Sequence, residues 1–156
     1  MKELTMALAL FSGDGVIKKY MRHHLKEGER RPVCGGCFVL RRLKNPGAVL
    51  GFGKNRQREL NLVSGGMLAA LLVRLVCISS RKGYGIEKAA LVLMAGGGLS
   101  NLTDRISQGY VDDYISMAHG PGKLQKLVFN LSDILVLAGA GLFVANGGFT
   151  VGRKNK

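Results

Sequence analysis

The 156-residue chain has no tryptophan, three cysteines, three prolines and ten acidic residues set against 23 lysines and arginines. So few cysteines exclude a disulfide-built scaffold. The scarcity of aromatics bears on the formal charge of +13. A nucleic-acid surface places its basic residues on a folded module with interleaved aromatic rings. The segment Lys18 to Arg58 holds 12 of the 23 basic residues, yet offers only Tyr20, Phe38 and Phe52. No nucleic-acid partner is expected. A solvated or headgroup-facing loop explains that charge better, because basic residues beside a bilayer are drawn to anionic lipid.

What the chain has in quantity is uncharged length. Leu60 to Ser80 carries one charge, Arg74, in 21 residues; Ala89 to Thr103 carries none, and Ile134 to Gly152 carries none in 19. These are lengths suited to membrane spans. A first candidate, Leu4 to Tyr20, is interrupted by Asp14 and two lysines; it could also pass for a signal peptide, but no small-x-small cleavage site follows it. The expected fold class is therefore an all-α polytopic membrane protein. Its single domain would have spans near 4–20, 60–80, 86–105 and 129–150, and a basic extracytoplasmic loop at 21–58 forming a small β-type element. Glycine-rich spans such as AGAGLFVANGG permit close helix approach.

The pair Cys34 and Cys37, in CGGC, is half of a possible zinc site with His23 and His24 upstream, or a redox pair, or simply two ordinary or disulfide-linked loop cysteines. Cys77 reads as a small core residue. The GGG at 96–98 lacks the strand, lysine and helix context of a phosphate-binding loop.

Against this apolar background stand five aspartates: Asp14, Asp104, Asp112, Asp113 and Asp133. Charges at membrane depth persist where they pair, face a cavity or carry function. Asp104 beside Arg105 reads as an ion pair or a helix-end group. Asp133 begins a long apolar helix in FNLSDILVLAGAG, with Asp112 and Asp113 as its nearest candidate partners. Two carboxylates brought together share a proton, so that one serves as base and the other as acid, the chemistry of an aspartyl peptidase. A proton or ion relay in a carrier uses the same residues, and the residues alone leave both readings open. In an extended segment Val111, Asp113 and Ile115 share one face and Tyr110, Asp112 and Tyr114 the other. Only one acid can then face Asp133, and the apolar Val/Asp/Ile side favours Asp113, leaving the tyrosine side for a wet interface.

GGGLSNLTDRISQGYVDDYI followed by FNLSD resembles the paired C-terminal motifs of the signal peptidase II family, the prolipoprotein signal peptidases. DGVIK at Asp14 to Lys18 resembles that family's first motif, and NPGAVLGFG from Asn45 its second. Four motifs in order cover nearly the whole chain. The resemblance implies a membrane aspartyl endopeptidase, a hydrolase that cleaves a lipid-modified prolipoprotein before its diacylglyceryl-cysteine. It places Asp113 and Asp133 at the catalytic positions, nine residues separating Asp113 from Asp104. Asn45, Gly47, Asn101, Arg105 and Asn130 fall at substrate-binding positions, and Asp14, Lys18 and Asp104 at supporting ones. Neither metal nor cofactor is implied; the expected partners are the prolipoprotein and membrane lipid, and the expected state is a monomer. The alternative is a non-catalytic carrier or accessory protein of the same fold. Ser100, Ser132 and Asp112 depart from the family pattern, and the two serines read as small packing residues.

Charge and resemblance disagree on topology. The basic loop, with Lys18, Lys19, Arg22, Lys54, Arg56 and Arg58 near its spans, would be cytoplasmic by the positive-inside rule. The resemblance implies cytoplasmic termini and an active site at the outer face of the bacterial inner membrane. The four-motif match carries more information than the charge count, so the second orientation is expected.

Overall fold

The computed structural model describes residues 2–47, 53, 55–119 and 127–148. Residues 48–52 of the NPGAVLGFG motif, Lys54 and the basic C-terminal tail lie outside them. Four helices, α1 (Lys2–His24), α2 (Gln57–Ser79), α3 (Gly85–Gln108) and α4 (Leu131–Ala145), contain most of the four apolar segments. Strands β1 (Arg30–Val33), β2 (Phe38–Asn45), β3 (Val111–Met117) and β4 (Val128–Phe129) form one antiparallel sheet in chain order. The first loop supplies only half of this sheet. The expectation of a β element built from that loop alone is therefore corrected: β3 and β4, from the second loop, complete it.

Among the described residues α2 is the one helix long and apolar enough to cross a membrane by length and composition. At 1.5 Å per residue it extends about 35 Å. Leu62, Val63, Met67, Val73 and Val76 on it are exposed. Residues such as Leu75 and Ile78, on its other face, pack into the core with Leu91, Val92 and Ala95 of α3. An apolar helix that leaves so much aliphatic surface uncovered suits lipid as its solvent. Cys77 lies on the exposed side of α2, not in the core as expected.

α3 is the central helix, packing against α1, α2 and α4. Its glycines set the distances. A Cβ on Gly96 would lie 2.9 Å from Leu10 Cβ, one on Gly97 would lie 2.5 Å from the Ser132 carbonyl oxygen, and one on Gly139 of α4 would lie 2.7 Å from the Ala90 carbonyl oxygen. Small residues thus bring α4 onto the backbone of α3, the device by which helices associate where no water drives them together.

The helix ends deliver the chain to the sheet. α3 stops at Gly109, whose φ of 79° is open to glycine and whose N–H returns to the Arg105 carbonyl. Two residues later β3 begins. α4 starts with a capping box: the Asn130 side chain accepts the Asp133 N–H at 2.8 Å, and the Asp133 carboxylate accepts the Asn130 N–H at 3.1 Å. The conformation of Asp133 is thereby fixed by the start of its own helix.

Gly97→Ala is expected to push the Ser132 carbonyl outward and cost about 1–3 kcal/mol, the usual penalty of overpacking. Gly141→Ala, with nothing within 4 Å of the new methyl group, is expected to be neutral or stabilising. Thermal unfolding of the two variants in detergent micelles checks the difference.

Candidate active site

β3 presents two adjacent acids to opposite sides. Asp112 turns toward α1 and β2, where Arg22 Nη1 lies 2.9 Å from its Oδ2 and Arg42 Nε 3.5 Å from its Oδ1. Gln108 bonds both Arg22 and Asp112. Asp113 turns the other way. Its Oδ2 accepts from Asn45 Nδ2 at 2.9 Å and its Oδ1 from Asn130 Nδ2 at 2.8 Å. The alternation read from the sequence holds: the two acids face different partners. The expected wet interface does not: Tyr114, on the Asp112 face, is 2% exposed, because α1 covers that face.

Asn130 joins Asp113 to Asp133. Its side-chain amide donates to Asp113, its backbone N–H donates to Asp133 Oδ2, and its side-chain oxygen holds the Asp133 N–H. Asp133 Oδ1 accepts a further bond from Asn101 Nδ2 at 2.8 Å. Asn101 and Asn130 are themselves linked, Asn130 Nδ2 to Asn101 Oδ1 at 3.2 Å. Three asparagines from α3, β2 and the start of α4 therefore aim amide donors at two carboxylates. Each carboxylate has its oxygens placed by neutral groups and carries no ion pair among the described residues. That arrangement fixes geometry without neutralising charge. Burial pushes the Asp113 carboxyl up to about 7, the neighbouring Asp133 charge adds to the rise, and the two asparagine bonds and Lys18 oppose it.

The remaining predicted residues surround this pair. Lys18 Nζ lies 2.7 Å from Asp14 Oδ2, 2.8 Å from Asp104 Oδ2 and 3.0 Å from Asn101 Oδ1. The expectation that Asp104 pairs with Arg105 is corrected: its partner is Lys18, one helix away. Arg105 instead donates to the Gly47 carbonyl at 3.2 Å, and Asn45 Oδ1 accepts the Gly47 N–H at 3.0 Å in a local turn. Arg105 Nε is buried and has no hydrogen-bond partner among the described residues. The sequence reading missed Gln57, which bonds the carbonyls of Pro46 and Gly109 and ties the Asn45 turn to the end of α3; a lone polar residue at a helix start gave no signal for that. It also misread Ser100 and Ser132 as packing residues, although both hydroxyls are buried and hydrogen-bonded. Cys34 and Cys37 are exposed at the turn between β1 and β2, with both thiols free. Among the described residues no group of three or more His, Cys, Asp or Glu side chains is placed to hold a metal ion.

Residues 6–149 match the family model described as signal peptidase (SPase) II. The chain is 31% identical over 136 residues to a lipoprotein signal peptidase of Moorella thermoacetica, covering 87% of this chain and 85% of that protein. It is 34% identical over 131 residues to one of Clostridium tetani, covering 84% and 82% respectively. One of Chromobacterium violaceum is 30% identical over 152 residues, covering 93% and 90%. The fold is similar to that of a solved bacterial membrane enzyme, with a TM-score of 0.77 at 23% identity, covering 99% of this chain and 93% of that one. A second bacterial membrane enzyme structure gives 0.78 at 21% identity, covering 99% and 94%.

The Asp113 carboxyl is expected to lose its proton with a midpoint near pH 7. Removing the like charge in Asp133→Asn should move that midpoint down, since the neighbouring carboxylate disfavours ionisation of Asp113. Infrared titration of the protonated carboxyl band in the two proteins checks both the position and the sign.

Proposed function

The chain belongs to the signal peptidase II family, and we infer that it is a bacterial membrane peptidase that removes signal peptides from prolipoproteins. The observation that carries this reading to chemistry is the Asn130 bridge. One residue holds the side chains of both Asp113 and Asp133, beside helices whose apolar faces are exposed.

The peptidase is of the aspartyl type. Asp113 holds the shared proton up to about pH 7. Asp133 accepts a backbone N–H in the first turn of α4, where the helix end favours negative charge, and takes the part of base. Asp133 draws a proton from a water molecule as that water attacks the scissile carbonyl carbon, and Asp113 gives its proton to the carbonyl oxygen. Collapse of the tetrahedral intermediate breaks the C–N bond as the leaving amine takes the proton from Asp133 and one hydroxyl of the intermediate returns a proton to Asp113. Asn45 and Asn130 keep the Asp113 oxygens in place through these steps, and Asn101 does the same for Asp133. Arg105 holds the Gly47 carbonyl and offers its free Nε–H to the substrate backbone. Asp14, Lys18 and Asp104 form the charged support behind them.

The scissile bond precedes a diacylglyceryl-cysteine, whose acyl chains remain in lipid while the peptide reaches the pair. α1 to α4 each cross the inner membrane as a single domain, the sheet lies at the extracytoplasmic face, and one copy suffices for activity. No metal or organic cofactor enters these steps. The carrier alternative is not favoured by the comparisons.

Asp113→Asn and Asp133→Asn are each expected to lower cleavage of a diacylglyceryl-modified prolipoprotein by about 100-fold or more, the usual worth of a positioned acid or base. Asp112→Asn should keep most activity while losing thermal stability, because Arg22 and Arg42 depend on its charge. Wild-type turnover should fall as pH rises through about 7, where Asp113 loses the proton it donates; activity held constant to pH 9 would contradict the acid role. A cleavage assay over pH, with unfolding curves for each variant, tests all three outcomes.

Orientation is checked separately. A reporter fused after Lys156 should be active in the cytoplasm, and an impermeant thiol reagent should label Cys34 and Cys37 in intact cells. The reverse pattern would place the pair on the side away from lipoprotein maturation.

A further inference from the structure

Asp14 takes no part in the proton transfers above, yet three hydroxyls converge on it. Ser100 Oγ donates to its Oδ2 at 2.6 Å, Ser132 Oγ to the same oxygen at 2.5 Å, and Tyr114 Oη to Oδ1 at 3.1 Å. Tyr114 Oη also accepts the Leu131 N–H at 3.0 Å. Asp14 and Ser132 are fully buried, and Ser100 and Tyr114 are 2% exposed.

The positions of these hydroxyls in the chain matter more than their number. Ser100 immediately precedes Asn101, the amide that holds Asp133 Oδ1. Tyr114 immediately follows Asp113, and Ser132 immediately precedes Asp133. Three separate elements, α3, β3 and α4, are thus pinned to one carboxylate on α1, two of them one residue from a member of the reacting pair and the third one residue from the amide that holds Asp133. Bonds from hydroxyls to a buried carboxylate are short and charge-assisted. Lys18, 2.7 Å from Asp14 and 3.0 Å from Ser100, divides its one charge between Asp14 and Asp104, and the three hydroxyls complete the hydrogen bonding of Asp14.

We propose that Ser100, Tyr114 and Ser132 are positioning residues that use Asp14 as a common anchor to set the separation of Asp113 and Asp133. The inference rests on the reading of those two aspartates as the reacting pair. It differs from a purely structural role in what it predicts. A structural network loses stability when cut; a positioning network loses rate in the chemical step, because misplacement by about 1 Å is worth up to ~100-fold.

The test uses the full chain in detergent micelles with a diacylglyceryl-modified prolipoprotein as substrate, rates being normalised to folded protein. Ser132→Ala and Tyr114→Phe each remove one hydroxyl and keep the rest of the side chain; Tyr114→Phe retains the ring packing should the serine variant fold poorly. Each is expected to lower kcat about 10-fold, and Ser100→Ala with Ser132→Ala about 100-fold, while KM stays within about 2-fold. The alkaline limb of kcat should also move to lower pH. The charged groups facing Asp113 are Asp133 from α4, Lys18 from α1 and Arg105 from α3, and a wider pair weakens the first of them. Variants with reduced unfolding temperature but wild-type kcat and an unmoved limb would overturn the proposal. Asp113→Asn serves as the control in the same assay. If it is inactive while the hydroxyl variants are normal, only the positioning role fails; if it is active, the dyad reading itself fails.

Discussion

The Lys18 ammonium group is the point on which the polar interior depends. It lies within 3.0 Å of acceptors on two carboxylates, Asp14 and Asp104, and on Asn101. Without it, two acids from α1 and α3 would meet with no cation between them, one of them, Asp14, fully buried. The cost of an unpaired buried charge is several kcal/mol. Lys18 is itself 1% exposed, so the ammonium and its acids are each placed where the other must be. What Lys18 does not do is pair directly with Asp113 or Asp133. Asn101 stands between it and Asp133, accepting from Lys18 with its oxygen and donating to Asp133 with its nitrogen. The lysine thus orients the amide and leaves the pair without a salt bridge. A pair fully neutralised by cations would have no reason to share a proton.

The helices can bring these groups together only because α3 is smooth where α1 and α4 cross it. Gly96 lies under Leu10, and Gly97 under the Ser132 carbonyl. The second contact sits one residue from Asp133, so the closeness of α3 to α4 and the position of the acid are one geometric fact. Asn101 follows Gly97 by one helical turn and reaches Asp133 from the same face. Packing and chemistry are here adjacent turns of one helix.

Much of this was legible from residue order. The four apolar segments, the alternation along Val111 to Ile115 and the FNLSD start of α4 are local patterns, and local patterns survive into structure. That only one of Asp112 and Asp113 can face Asp133 followed from a two-residue period, and the apolar Val111 and Ile115 flanking Asp113, with the motif spacing, chose it. What escaped was long-range. Asp104 has Arg105 beside it in the chain, yet Lys18, 86 positions away, is its partner, because on α3 neighbouring residues point about 100° apart. Ser100 and Ser132 looked like small packing residues because nothing in either segment announces a carboxylate from α1. Cys77 was placed inward by its apolar surroundings, but a helix apolar on all sides gives no sign of which face it buries. Tyr114 was placed toward water for its hydroxyl, whereas that hydroxyl meets Asp14 and a helix N–H in the interior.

The folded sheet accounts for part of the basic charge of the first loop. The positive-inside rule counts lysines and arginines near the ends of spans as the chain inserts, whether or not they later meet acids. Arg22, at the end of α1, and Arg42, in β2, both turn onto Asp112, which is 1% exposed. Lys44 lies 2.6 Å from Glu27, and Arg31 2.8 Å from Glu29. Four of the basic residues in the first loop region are thus engaged with acids of the loop or of β3. Asp112 serves this end because it faces away from the pair. The strand period that turns Asp113 to Asn45 and Asn130 turns Asp112 to the arginines, so that of two adjacent acids one binds the end of α1 to the sheet and the other meets the asparagines on the opposite face. Within the proposed orientation, Arg22 and Arg42 on the outer side are held within the fold by Asp112, while the Arg31 and Lys44 pairs lie at its surface.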